Sequence, residues 1–214
     1  MTRRRDGRTA RGYRDRRVGT RNVVKRFLIV CEGGKTEPLC FEAFPVSTRP
    51  DVIEVEVIGS GLNTLGLVRR AVELRAEAPR EERYDETWCV FDRDSFPAED
   101  FNVALELASR EGIEVAYTNE AFELWYLLHF DYIDAALSRI QYSDKLDKRL
   151  GRRYQKNTPT MYEELKRHQP RAIANAEKLL NQYPQPSPEK DNPSTTVHLL
   201  VRELNNFLPG QHGE

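Results

Sequence analysis

Short apolar runs alternate with amphipathic segments over the first 120 residues of the chain. The runs are rich in β-branched residues and bounded by turn residues, as is typical of strands, and they lie at 26–31, 52–59, 86–92 and 113–119. The segments that follow the first three runs have apolar residues at helical spacing, at 36–44, 62–78 and 97–112. This alternation predicts a four-stranded parallel sheet flanked by helices. The second run, VIEVEVIG, alternates apolar and acidic residues, which indicates a half-exposed strand and suits an edge of the sheet.

After residue 120 the pattern becomes helical. The segment AFELWYLLHF (121–130) is too apolar for a surface helix, so we expect it to be buried. Two further helical segments are interrupted near Pro170, and a last helix is expected within 194–208, with Ser194 or Thr195 as its N-cap.

The net charge of −1 hides an asymmetry between the N-terminus and the rest of the chain. Residues 1–26 hold eleven Lys or Arg and two Asp, which leaves 22 basic and 32 acidic residues in the remainder. A basic segment with so few apolar residues predicts a mobile arm, which either contacts a phosphate backbone or only solubilises the protein. We therefore expect three parts: a basic arm at 1–24, an α/β core at 25–130 and a helical extension at 131–210 packed on the core.

Composition narrows the class of protein. No apolar run approaches the roughly 18 residues that a membrane-spanning helix needs, and the basic N-terminus lacks the apolar segment of a secretory signal. The three cysteines, Cys31, Cys40 and Cys89, are an odd number without metal-ligand spacing, so we expect buried free thiols. These features predict a soluble cytoplasmic protein without a membrane partner.

The stretch FLIVCEGGKTEP (27–38) contains Gly-Gly-Lys-Thr directly after an apolar run, which suggests a phosphate-binding P-loop. A P-loop requires G-x-x-x-x-G-K-[ST], and counting back from Gly34 places its first glycine at Ile29, inside the predicted strand. ATP hydrolysis by this chain is therefore not expected. Gly33 and Gly34 instead suit a tight strand-to-helix turn that leaves room for a ligand beside Glu32.

Three acidic residues follow two of the predicted strands. Glu32 comes immediately after the first strand, and FDRD places Asp92 and Asp94 at the end of the third. Ligands of open parallel sheets bind at the carboxyl ends of the strands, so these carboxylates are expected to lie together. Mutual repulsion would be relieved by a hard divalent cation with oxygen ligands, such as Mg²⁺ or Mn²⁺.

Glu-Gly after a first strand and Asp-x-Asp after a third resemble the TOPRIM pattern of topoisomerases, bacterial-type primases and OLD-family nucleases. More narrowly, IVCEGGKTEP, WCVFDRD, TNEAFELWYLLHF and NPSTTVHLLVREL together resemble the RloB family, over about residues 24–207. Members are TOPRIM-like proteins of bacterial defence and restriction loci, often found near an ATPase partner. The resemblance implies a TOPRIM-like fold, a metal-dependent nuclease acting in anti-phage defence or abortive infection, and a partner ATPase.

The resemblance also assigns roles to residues. It implies Glu32 as a general acid/base or metal ligand, and Asp92 and Asp94 as Mg²⁺ ligands. Glu123 is a further candidate ligand and His129 a candidate proton carrier or phosphate contact, although both also suit buried polar groups satisfied by their neighbours.

Three accessory candidates flank these acids. Glu37 either joins the site or only favours the helix N-terminus by its charge. Lys35 is placed to neutralise a phosphate, and Asn119, just past the fourth strand, to touch substrate.

A basic stretch after the predicted core is a candidate nucleic-acid backbone contact, with Arg149, Arg152, Arg153 and Lys156 as its main residues. Such runs are more often a solvated face. Two functions stay open at this point: a metal-dependent nuclease acting on RNA or DNA, and a non-catalytic adaptor that binds nucleic acid or an ATPase. The oligomeric state is also open, a homo-oligomer included.

Overall fold

The computed structural model of the protein describes residues 24–48, 52–94 and 97–208. Within these ranges the chain forms a five-stranded sheet. Its strands are β1 (Lys25–Cys31), β2 (Ile53–Gly59), β3 (Glu86–Asp92), β4 (Glu114–Asn119) and β5 (Ser194–Thr195). Except for residue 24, the predicted basic arm lies outside the described residues, so it stays a prediction.

The strands lie in the order β2-β1-β3-β4-β5. The first four are parallel, whereas β5 runs antiparallel to β4. The prediction of an α/β fold with helices flanking a parallel sheet is confirmed for β1–β4, and β2 lies at an edge as expected. The predicted number of four strands is wrong, because Ser194 and Thr195 return to pair with Asn119 and Thr118.

This short fifth strand also changes the start of the last helix. Neither Ser194 nor Thr195 is the N-cap, because their backbones pair with β4 and the helix begins only at Val197. The Thr195 hydroxyl bonds the Tyr117 carbonyl at 3.0 Å and accepts a hydrogen bond from the Val197 N–H at 3.2 Å. One side chain thus joins the sheet edge to the beginning of the helix.

Eight α-helices lie within the described ranges. They are α1 (Thr36–Glu42), α2 (Thr64–Glu77), α3 (Ala98–Glu111), α4 (Glu123–Leu128), α5 (Arg139–Leu150), α6 (Met161–Leu165), α7 (Gln169–Asn181) and α8 (Val197–Asn205). The predicted interruption near Pro170 is confirmed, since a 3-10 turn at Lys166–His168 separates α6 from α7, whose first turn contains Pro170.

Alternation along the strands divides the core between the two faces of the sheet. Leu28 and Val30 of β1 pack in one cluster with α2 and α3. Phe27 and Ile29 pack in the other, to which α1 and α4–α8 contribute. The helices after residue 130 therefore share a hydrophobic core with the sheet. The segment at 121–130 is buried except for Phe130, which is partly exposed.

The cysteine prediction is confirmed: Cys31, Cys40 and Cys89 are buried free thiols. Burial raises the pKa of all three, to about 12 for Cys40 and Cys89. No helix in the described part of the chain is long and apolar enough to span a membrane.

Candidate active site

The carboxyl ends of β1 and β3 form the floor of a cleft of about 480 Å³. These strands are parallel neighbours, so the turn after Cys31 and the end of β3 meet at one edge of the sheet. The structure brings Glu32, Asp92 and Asp94 together in this cleft. Basic and amide side chains also line it, namely Lys35, Asn63, Arg139, Lys156 and Asn157.

Glu32 is held by backbone hydrogen bonds on both sides. Its N–H donates to the Val90 carbonyl at 2.8 Å, and its carbonyl accepts from the Gly61 N–H at 2.9 Å. Its carboxylate accepts the Asp92 N–H at 3.1 Å. Burial raises the pKa of Glu32 to about 7, and the negative charge of Asp94 adds to this rise. A carboxyl group with that pKa is suited to proton transfer near neutral pH.

Asp92 has a carboxylate that the protein satisfies only in part. Its side chain is 16% exposed, and its Oδ1 atom is buried without a hydrogen-bond partner. Burial raises the pKa of Asp92 well above its ordinary value, and the nearby carboxylates of Glu37 and Glu123 raise it further. An unpartnered buried carboxylate oxygen is costly, and a proton or a cation relieves that cost.

Arg139, the first residue of α5, lies beside the aspartates. Its Nη2 atom is 3.9 Å from Asp92 Oδ2 and 3.6 Å from Asp94 Oδ2. Sequence reasoning missed this residue. Ser138 and Gln141 form a capping box that locates the helix start, but nothing in the sequence indicates that its first residue faces the acids.

The cleft has the ligand chemistry of a divalent-cation site without a closed ligand cage. Its acids offer only oxygen, which Mg²⁺ and Mn²⁺ prefer, and Asp92 Oδ1 lacks a partner. Among the described residues, no three His, Cys, Asp or Glu side chains are already positioned around a single metal point. Mg²⁺ usually keeps several waters and binds through one or two carboxylates, so Asp92 and Asp94 fit its ligand requirement.

Glu37 reaches the cleft from the first turn of α1 and is 7% exposed. Burial raises its pKa. Its carboxylate packs against Gly33, where a Cβ atom would lie 2.0 Å from Glu37 Oε2. The glycine is therefore needed for the close approach of backbone and carboxylate.

Glu123 begins α4 and is 3% exposed. Its Oε1 atom lies 3.4 Å from the Lys156 ammonium and accepts a long hydrogen bond, also 3.4 Å, from the Tyr154 hydroxyl. Lys156 is held there because its carbonyl accepts the Thr36 hydroxyl at 2.9 Å. Glu123 thus lies behind the cleft and is paired with a residue that lines it.

Two other predicted site residues lie outside the cleft lining. The Asn119 amide donates to the Asp191 carbonyl at 2.9 Å, so it anchors the loop before β5. His129 Nδ1 is 2.9 Å from the Trp125 carbonyl, and its ring packs edge-on against the Trp125 ring. Burial lowers the pKa of His129 to about 4, which keeps the imidazole neutral.

The predicted basic strip is largely paired within the protein. Arg149 makes two 2.6 Å hydrogen bonds to Asp131, and Arg152 bonds both carboxylate oxygens of Glu164. Arg153 is exposed, and Lys156, which lines the cleft, pairs with Glu123. Nucleic-acid binding by these four residues stays a prediction.

The fold and the cleft define an α/β protein with an acidic site at the carboxyl ends of its parallel strands. The family model described as RloB-like protein matches residues 27–204. The chain therefore belongs to the RloB-like protein family. The search of curated proteins and the search of solved structures each found no match.

Proposed function

We propose that the protein is a TOPRIM-type nuclease that hydrolyses phosphodiester bonds of RNA or DNA with Mg²⁺ or Mn²⁺, in bacterial anti-phage defence. The placement of Glu32, Asp92 and Asp94 at neighbouring strand ends, in one open cleft, supports this chemistry most strongly. The defence role is supported by membership of the RloB-like family.

In this proposal Asp92 and Asp94 would hold the cation, because Asp92 ends β3, Asp94 follows two residues later in the same cleft, and Asp92 Oδ1 has no hydrogen-bond partner. A cation held there would supply positive charge for the transferring phosphate and would lower the pKa of a water molecule. Glu32, with its pKa near 7, takes the proton of the attacking water or gives one to the leaving oxygen. Lys35 and Lys156 also line the cleft and would balance the charge of the nucleic-acid backbone.

The proposal is tested by incubating the full-length protein with labelled RNA and DNA, in Mg²⁺, Mn²⁺ or EDTA. We expect cleavage that EDTA stops, and that falls by about 10²-fold or more in Glu32→Gln, Asp92→Asn and Asp94→Asn. Glu114→Gln is the matched control, because Glu114 is exposed at the opposite, amino end of β4. Full activity of Asp92→Asn would contradict the mechanism, and binding without cleavage in both metals would favour an adaptor.

A further inference from the structure

The start of α5 presents Arg139 to the cleft on a rigid support. The Ser138 N–H donates to Gln141 Oε1 at 2.9 Å, and the Gln141 N–H donates to Ser138 Oγ at 3.4 Å. Three residues after Arg139, on the same side of the helix, Tyr142 is fully buried. None of these contacts uses the Arg139 side chain, so the position of its Cα does not depend on the guanidinium.

The guanidinium contacts the aspartates only loosely. Both separations, 3.9 and 3.6 Å, exceed hydrogen-bond length, and the side chain is 44% exposed. Within the described ranges no hydrogen bond donated by this guanidinium is found. An ion pair of this kind contributes little to the free energy of unfolding, so a divalent cation can displace the guanidinium from the aspartates with little loss of stability.

We propose that Arg139 is a substrate-binding residue that changes partners. Without a divalent cation it balances the charges of Asp92 and Asp94, and once the cation occupies those carboxylates it binds the phosphodiester to be cut. The inference rests on the proposed nuclease function. The guanidinium lies beside the carboxylates of Asp92 and Asp94, the two groups that would hold the cation, so the two positive charges compete for the same carboxylates and repel each other. A phosphate offers the planar guanidinium a bidentate acceptor that the aspartates do not.

Two consequences follow from this exchange. Removing the guanidinium should strengthen metal binding, because a competitor is lost. It should also weaken the mutual enhancement of metal and nucleic-acid binding. In the intact protein the metal displaces Arg139 from the aspartates toward the phosphate, and the phosphate holds Arg139 away from the aspartates, so each ligand favours binding of the other.

The first consequence is tested with metal alone, by Mn²⁺ titration of the full-length protein followed by electron paramagnetic resonance. We expect Arg139→Ala to bind Mn²⁺ about two- to fivefold more tightly than the wild type. Arg139→Lys should lie between them, and Asp92→Asn should remove the gain. Arg110→Ala is the matched control, since Arg110 makes a similarly long contact of 3.7 Å with Glu111 outside the cleft. Unchanged or weaker Mn²⁺ binding in both Arg139 variants, folded by circular dichroism, would overturn the inference.

The second consequence is tested by repeating the titration with a short oligonucleotide in the Glu32→Gln background, where cleavage is not expected. The oligonucleotide should raise Mn²⁺ affinity, and Arg139→Ala should reduce that rise about threefold or more. The salt dependence of oligonucleotide binding should fall by about one phosphate contact. Equal coupling with and without Arg139 would overturn the phosphate-binding half of the inference.

Failure of the nuclease proposal would look different. Cleavage would then be absent from the wild type, whereas the Mn²⁺ affinity of Arg139→Ala would still exceed that of the wild type if Arg139 competes for the aspartates.

Discussion

The carboxylate of Glu32 accepts a 3.1 Å hydrogen bond from the backbone N–H of Asp92. This bond joins the residue after β1 to the last residue of β3, so one candidate catalytic side chain is positioned by the backbone of another. A glutamine at position 32 can accept the same bond through its carbonyl oxygen. Glu32→Gln therefore removes the negative charge of this side chain while keeping its position.

Glu32→Gln should change stability in a pH-dependent way. Because folding raises the pKa of Glu32 from 4.5 to about 7, the wild type loses stability as the pH rises through this window. The neutral glutamine does not, so the variant should gain relative stability between pH 5 and 8, on the order of 1–2 kcal/mol after allowance for solvent in the cleft. Urea unfolding at both pH values measures this, with Glu114→Gln as control. If the free energies of unfolding of Glu32→Gln and the wild type differ by the same amount at pH 5 and at pH 8, the raised pKa of Glu32 is contradicted.

Divalent-cation affinity should rise with pH. Asp92 must lose its proton to bind metal, ionised Glu32 attracts the cation by its charge, and the pKa values of both groups are raised. We expect wild-type Mn²⁺ affinity to increase as the pH is raised from 6 to 8, and the increase to be smaller in Glu32→Gln. Mn²⁺ titrations across this range test it, and a flat wild-type profile would show that these acids do not take part in binding.

The adjacent glycines should differ in their tolerance of alanine. In Gly33→Ala the new methyl group would lie 2.0 Å from Glu37 Oε2, and the buried Glu37 side chain would have to move. Gly34 has open space around it and serves as the control. We expect a loss of about 1–3 kcal/mol in the free energy of unfolding for Gly33→Ala, and a change within about 0.5 kcal/mol for Gly34→Ala.

A double variant identifies the cause of that loss. Glu37→Ala should recover much of the stability that Gly33→Ala removes, because it deletes the clashing carboxylate. Non-recovery would assign the loss to the turn backbone instead.

Loss of Lys156 should destabilise the protein through Glu123. Lys156→Met leaves a buried carboxylate without its cationic partner at 3.4 Å. We expect a loss of about 1–2 kcal/mol, less than for a fully buried pair because the lysine side chain is 55% exposed. Denaturant unfolding measures it, and Glu123→Gln in the same chain should restore most of the loss. Lys166→Met, at the exposed pair with Glu163, should change stability by less than about 0.5 kcal/mol.

The sequence allowed the parallel strands to be predicted because each is an apolar run of six to eight residues, and the first three runs are followed by segments with helical spacing. β5 was not predicted, because two residues have no period and its pairing with β4 joins positions 77 apart. Pairing at that separation depends on how the helices between the strands pack.

The sequence predicted the acids of the site and Lys35 beside them, but it did not predict that Arg139 and Lys156 line the same cleft. Glu32 and Asp92 follow strands, and strand ends of a parallel sheet meet at a known edge. Arg139 and Lys156 come from the segment after residue 130. No local pattern in the sequence indicates how that segment packs against the sheet. Arg149 and Arg152 belong to a basic run that predicted a nucleic-acid contact. Each pairs with a carboxylate outside that run, so the run alone did not indicate the pairing.

Because Thr118 pairs with Thr195, the edge of β4 can be covered only after β5 has been translated. At about 5–20 residues per second, the 77 positions between them take roughly 4–15 s to translate. During that interval the outer edge of β4 has already been made while its partner strand has not, and an unpaired edge can recruit other chains. A nascent chain of this protein therefore depends on Ser194 and Thr195 to cover this edge of β4, and messages truncated before β5 should yield aggregates.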